Sequence, residues 1–211
     1  MAYRITPARA GHAQELRERI LACAHARVVQ GGFSSLTMQA LAEDVGIATG
    51  SLYRYFNGKG ELAAEVFSNA SRIEVEVLAE ILCGSGSAAQ RLAAGLEQFA
   101  TRAWHSRRLA FALIAEPVDP EVDEQRLLFR EAYAELFVEL LKEGARNGEF
   151  RVAQPGLVAA CLVGAIAEAL VGPLSPAACA ARDANLAAPD LATVSHTLIT
   201  FCLRAVGAPE S

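Results

Sequence analysis

Apolar positions along this chain recur at intervals of three and four. No run rich in β-branched residues is bounded by hairpin turns, so the pattern predicts an all-α protein. Leu16, Ile20, Cys23, Ala24 and Val28 mark one face of a first helix, which the pair Gly31-Gly32 closes. Thr37 stands just ahead of Met38 as the cap of a second helix, with Leu41, Ala42 and Val45 on its inner side and Gly46 as its stop. A third short helix, residues 48–56, rests on Leu52 and Phe56 and breaks at Asn57-Gly58. Lys59 opens a long fourth helix that runs through Leu62, Val66, Ile73, Val77 and Ile81 to Cys83.

After Gly84-Ser85-Gly86-Ser87 the same spacing predicts helices near residues 88–104, 105–115, 121–147, 155–171 and 190–206, about nine in all. Residues 1–60 and 61–211 form the two expected units, with the fourth helix bridging them. The Ala-rich stretch from Leu174 to Pro189 has little pattern and reads as a mobile connection, and the chain ends read as loose. The segment from Gly156 to Gly172 is apolar nearly throughout. It is shorter than the roughly 20 residues of a membrane span, carries Glu168 and is flanked by Pro155 and Pro173, so it reads as a helix buried at a subunit interface.

With 53% hydrophobic residues in a chain of 211, the composition supports an ordered core without disulfides. The five cysteines are scattered and form no CxxC pair, and no histidine lies at metal-ligand spacing, so no metal or cofactor is implied. Met1 to Arg19 lacks an apolar secretory core, which points to the cytoplasm and away from the membrane. A net charge of -5 excludes a protein that coats nucleic acid through overall charge, and any DNA binding must use a local surface.

Such a surface is available. Two short helices joined through Gly46 match a helix-turn-helix, although helix pairs of this size also occur as plain core packing. The second of them shows Thr49, Gly50, Ser51, Tyr53, Arg54 and Tyr55 around its small apolar anchor, with Lys59 at the next helix start. Small residues admit close approach to base edges, while hydroxyls and cations suit phosphates. On the structural alternative, Thr37 is simply an N-cap, Tyr53 is half-buried and Lys59 is a solvated cation.

The run TMQALAEDVGIATGSLYRYFNGKGELAAEVF resembles the DNA-binding region of the TetR family of repressors, over about Glu15 to Phe67. Its elements are Thr37, Leu41-Ala42, Gly46, Ser51-Leu52-Tyr53, Tyr55-Phe56, Lys59 and Leu62. The resemblance implies phosphate contacts from Thr37, Tyr53, Tyr55 and Lys59, and base or backbone contacts from Thr49, Gly50, Ser51 and Arg54. Tyr55 stands where the family often has His. It further implies a C-terminal helical domain that pairs two subunits and takes a small-molecule effector, in a repressor of a double-stranded DNA operator.

Residue pattern adds an independent case for a homodimer. Ala159, Ala160, Gly164, Ala165, Ala167 and Ala169 permit close helix approach, with the last helix as neighbour, which predicts a four-helix interface and a palindromic operator. Trp104, Phe111, Tyr133 and Phe137 are the expected lining of an effector pocket, and Glu168, read as a buried carboxylate, is the expected partner of a cationic ligand group or of an interface hydrogen bond. Two rivals compete with this reading. An enzyme lacks support, because His12, His25, His105 and His196 sit in no catalytic motif. A helical protein-binding dimer without DNA activity must dismiss the whole Thr37 to Lys59 pattern.

Overall fold

The computed structural model describes residues 7–184, 186 and 188–208; the expectation of loose ends concerns residues 1–6 and 209–211, which lie outside the described residues. The described residues form ten α-helices: α1 (Pro7–Gly31), α2 (Met38–Val45), α3 (Thr49–Leu52), α4 (Lys59–Leu82), α5 (Ala88–His105), α6 (Arg107–Ile114), α7 (Pro120–Arg146), α8 (Pro155–Leu174), α9 (Pro176–Asp183) and α10 (Leu191–Ala205). A 3-10 turn at Phe33–Ser35 precedes α2, and no strand occurs among the described residues.

Two apolar clusters organise these helices. In the first, Ile20, Ala24 and Val28 of α1 meet Leu41, Leu52, Phe56 and Leu62, joined by Ala112 of α6 and Val122 of α7. Ala112 and Val122 are completely buried there, so the second half of the chain helps to close the core of the first. The other cluster gathers Leu92, Leu96, Phe137, Leu141, Leu162, Leu170 and Leu198 from α5, α7, α8 and α10. Each fully buried Leu or Phe contributes about 1.5–3 kcal/mol relative to exposure, which makes these faces the main determinant of helix placement.

Ion pairs and hydrogen bonds to carbonyls tie α1 to α4 and α2. Arg17 of α1 grips Glu65 of α4 through two hydrogen bonds of 2.7 and 2.5 Å, with its guanidinium 5.1 Å from the Phe56 ring centre. Arg27 pairs with Asp44 and donates to the carbonyl of Ala40 at 3.0 Å, and Arg19 donates to the carbonyl of Val45 at 3.2 Å. α4 and α7 start side by side. Lys59 Nζ lies 3.4 Å from Asp119, Ser68 Oγ donates to Gln125 at 2.8 Å, and Gly60 leaves room for the Glu121 carboxylate where a Cβ would collide with it.

Three expectations are corrected. The stretch from Leu174 to Pro189 is not an unpatterned connection, because it contains α9. Ser175 caps that helix by accepting from the Ala178 amide at 3.2 Å, and Pro176 opens it with its φ already helical. Arg182 then fastens α9, its guanidinium 4.5 Å from the Trp104 ring centre and donating to the Pro173 carbonyl at 2.5 Å. The apolar segment forms a helix of 20 residues that includes Pro173, since a proline in the final turn forfeits only one backbone bond. The third helix is regular only over Thr49–Leu52, and Tyr53 to Phe56 continue as turns in which the amides of Tyr55 and Phe56 reach the Leu52 carbonyl at 2.9 and 3.1 Å.

Candidate nucleic-acid interface and ligand cavity

α2 and α3 are held at a fixed angle by local chemistry. Thr37 Oγ1 accepts from the Ala40 amide at 3.2 Å, satisfying one of the free donors at the start of α2. Gly46 ends α2 in the left-handed region at φ 74°, where a Cβ is disfavoured, and its turn passes to α3 through Ile47, whose amide donates to the Ala42 carbonyl at 3.0 Å. Leu52 and Phe56 pin α3 and the following turns to the first cluster.

That anchoring leaves a polar face outward. Thr37, Gly50, Tyr53 and Arg54 are exposed, and Thr49, Ser51, Tyr55 and Lys59 are half-buried. Tyr53 stands 54% exposed, whereas Tyr55 packs its ring against the first cluster. Lys59 shares its charge with Asp119 across a surface pair. Arg17, Arg19 and Arg27 of α1 are committed to ion pairs and carbonyls within the fold, whereas Arg54 and Lys59 bring cations to this face.

Between α4, α5, α6, α7 and α8 lies a cavity of about 580 Å³, closed toward the head by His25 and Phe67. Its wall is mostly apolar, with Leu78, Leu96, Leu113, Phe99 and Ile166. Glu74 and Arg102 form a bidentate pair in the wall, both bonds 2.7 Å, which raises the Arg102 pKa chiefly through that hydrogen bonding. Tyr133 stacks edge-on against Phe99 with ring centres 5.9 Å apart, and burial pushes its phenol pKa upward, so it stays protonated. The hydroxyls of Ser71 and Tyr133 make no hydrogen bond among the described residues.

Two of the five residues expected at the effector pocket, Tyr133 and Phe137, line this cavity; Trp104, Phe111 and Glu168 do not. The guanidiniums of Arg107 and of Arg182 on α9 stand 5.9 and 4.5 Å from the Trp104 ring centre, so Trp104 faces α9. Phe111 packs on the second cluster from another face of α6. Glu168 is exposed on the outward side of α8 and not buried, as its apolar neighbours had implied, because half of that helix has no cover within the protomer.

Residues 20–66 match the family described as bacterial regulatory proteins, tetR family, and residues 85–187 match a tetracyclin repressor-like C-terminal domain. The chain belongs to the TetR family. It is a DNA-binding transcriptional regulator with a ligand-binding C-terminal domain, and not an enzyme. Solved structures share its fold. The regulator FadR from Bacillus subtilis, in complex with stearoyl-CoA, superposes with a TM-score of 0.72 at 18% identity, over 90% of this chain and 98% of that one. FadR of Bacillus halodurans, a fatty acid degradation regulator, gives 0.72 at 18% over 92% and 97%. Reduced Escherichia coli NemR gives 0.69 at 17% over 93% and 100%. No curated protein matches the sequence.

In this TetR-family chain the cavity wall is wired to the head. Arg126, which lines the cavity, donates to the carbonyls of Leu113 and Glu116, both at 3.0 Å, and so clasps the end of α6. The Glu116 carboxylate accepts from the amides of Phe33 and Ser34 at 2.9 and 3.0 Å, and Arg108 donates to the Gly31 carbonyl at 2.8 Å. Gly32, at φ 73°, makes room for that carboxylate, which a Cβ would strike. Arg126, Glu116, Arg102 and Glu74 were not anticipated as site residues. Glu74 and Arg102 are 28 positions apart, and nothing local signals such a pair. One signal was readable: Arg126, Arg130, Tyr133 and Phe137 recur at helical spacing on a single face.

Proposed function

We propose that this regulator is a homodimeric repressor that binds a palindromic operator and is released when a small molecule fills the cavity. Residues 1–60 read DNA and residues 61–211 bind effector and partner, in the cytoplasm. Thr37, Tyr53, Tyr55 and Lys59 hold phosphates, and Thr49, Gly50, Ser51 and Arg54 approach bases or backbone. The observation that carries this reading is the chain of hydrogen bonds from Arg126 in the cavity wall, through Glu116, to Phe33 and Ser34 at the base of the head. A ligand that displaces α6 changes the tilt of α1, and two tilted heads no longer match successive major grooves roughly 34–36 Å apart. The effector must therefore bind the DNA-incompetent state more tightly.

The partner copy covers the outer face of α8 and α10. Leu157 and Phe201 are 68% and 57% exposed there, beside the small residues Ala160 and Gly164. Only 28% of the most apolar window of α8 is buried in the protomer, and a two-fold partner supplies the missing cover for a helix long and apolar enough to cross a membrane.

Selection of bound duplexes from a random DNA pool, at several salt concentrations, tests the reading. A palindrome recovered by the native protein and lost in a Tyr53→Ala, Lys59→Ala double variant supports it. Absence of enrichment at low salt favours the protein-binding dimer.

A further inference from the structure

The ligand-binding role proposed above says nothing of ligand chemistry, which the charges of the cavity address. Its wall contains one carboxylate, Glu74, against three guanidiniums, those of Arg102, Arg126 and Arg130. Glu74 is consumed by its bidentate pair with Arg102. Arg126 bonds to Asp123 at 2.5 Å and to carbonyls of the α6 end, and Arg130 makes no ion pair or hydrogen bond among the described residues. The uncompensated charge is positive and lies at one end. Along α7, Arg126 and Arg130 are followed on the same face by Tyr133 and Phe137, with about 16 Å of helix rise between the first and last at ~1.5 Å per residue. Phe129, beside the cations, packs on the first cluster, whereas Phe137 belongs to the second, so the cationic end is the one nearest the head.

We propose that the cavity takes an anionic amphiphile, its acid group between Arg126 and Arg130 and its apolar chain running past Tyr133 to Phe137. Like charges four residues apart on a helix repel, and an anion seated between them turns that repulsion into two charge-assisted hydrogen bonds. The apolar remainder of the wall suits a hydrocarbon chain, with the Ser71 and Tyr133 hydroxyls available to a polar group along it. A cationic head has no free carboxylate to meet in the cavity. The anion also competes for the Arg126 guanidinium that clasps the α6 end, which places ligand recognition directly on the link to the head.

Displacement of the neutral fluorophore N-phenyl-1-naphthylamine, by dodecanoate, dodecanol and dodecyltrimethylammonium below their micellar concentrations, tests this. Dodecanoate should displace it at least about tenfold more tightly than either of the others, the scale of one charge-assisted contact. Arg130→Gln should bring that preference below about threefold while leaving dodecanol unchanged, and Arg130→Lys should restore most of it. Equal binding of the three chains, or a preference that survives Arg130→Gln, overturns the proposal while the ligand-binding role stands. A fluorophore that never enters the folded protein removes both.

Discussion

The carboxylate of Glu116 accepts the backbone amide of Ser34 at 3.0 Å, across 82 positions of sequence, and its other oxygen takes the amide of Phe33. The loop after α6 thereby serves as the cap of the 3-10 turn beneath the DNA-reading helices. The Glu116 side chain joins Arg108 on the Gly31 carbonyl and the buried Ala112 and Val122 in holding the head to the cavity wall, and it is the link that reaches the Arg126 clasp, so removing it should weaken the coupling between them.

Glu116→Gln keeps the shape but removes the charge and one acceptor. Stability should fall by about 1.5–2 kcal/mol, the lower part of the range for hydrogen bonds to charged groups. Hydrogen exchange at Phe33 and Ser34 should accelerate, and effector should lose most of its influence on operator affinity. Unchanged exchange at both amides is the outcome that contradicts the link.

Thr37 and Tyr53 separate stability from affinity. Thr37→Ala removes the α2 cap and should cost about 1 kcal/mol in urea denaturation, which Thr37→Ser recovers. Tyr53 is 54% exposed, so Tyr53→Ala should stay within about 0.5 kcal/mol of the native protein while operator affinity drops. Parallel denaturation and DNA titration check both.

Lys59 divides its charge between Asp119 and the proposed DNA phosphate. An exposed pair contributes only about 0–1 kcal/mol, so neither Lys59→Gln nor Asp119→Asn should unfold the protein. Lys59→Gln should lower the slope of log affinity against log salt by about 0.9 per protomer. Asp119→Asn should instead tighten DNA binding, and a loss of affinity there would contradict a role for Lys59 on phosphate.

The outer face of α8 and α10 has its own marker. Cys161 is exposed in the protomer, on the proposed interface, and Cys83 is exposed at the end of α4, outside α8 and α10. Alkylation should modify Cys83 readily and Cys161 slowly in the native dimer. Leu157→Glu with Phe201→Glu should sediment as a monomer, retain its helix content and expose Cys161 to the reagent.

Burial pushes the Cys202 thiol up to about 11 from 9.0. The folded state prefers the neutral thiol, so this preference stabilises fully below about pH 9 and is lost as pH rises toward 11. The stability advantage of the native protein over Cys202→Ala should therefore narrow over that interval. An advantage that holds constant with pH would show that the thiol is not desolvated.

The helices of the head were legible in the sequence because each is specified by neighbours a few residues away. Gly46 stops α2, Thr37 caps it, and Leu41, Leu52 and Phe56 mark the inner faces at helical spacing. α9 was missed although Ser175 and Pro176 mark its start, because an Ala-rich segment of two turns shows little apolar stripe and Arg182 on Trp104 holds it in place. The cavity was half legible for a similar reason. Tyr133 and Phe137 share a face with Arg126 and Arg130, whereas Trp104, Phe111 and Glu168 point elsewhere according to how α6, α8 and α9 pack. Periodicity along one helix tells which residues lie together on a face, and composition tells which of them are apolar. What each face meets depends on contacts between segments distant in sequence, and only the folded chain brought Glu116 to Ser34 and Glu74 to Arg102.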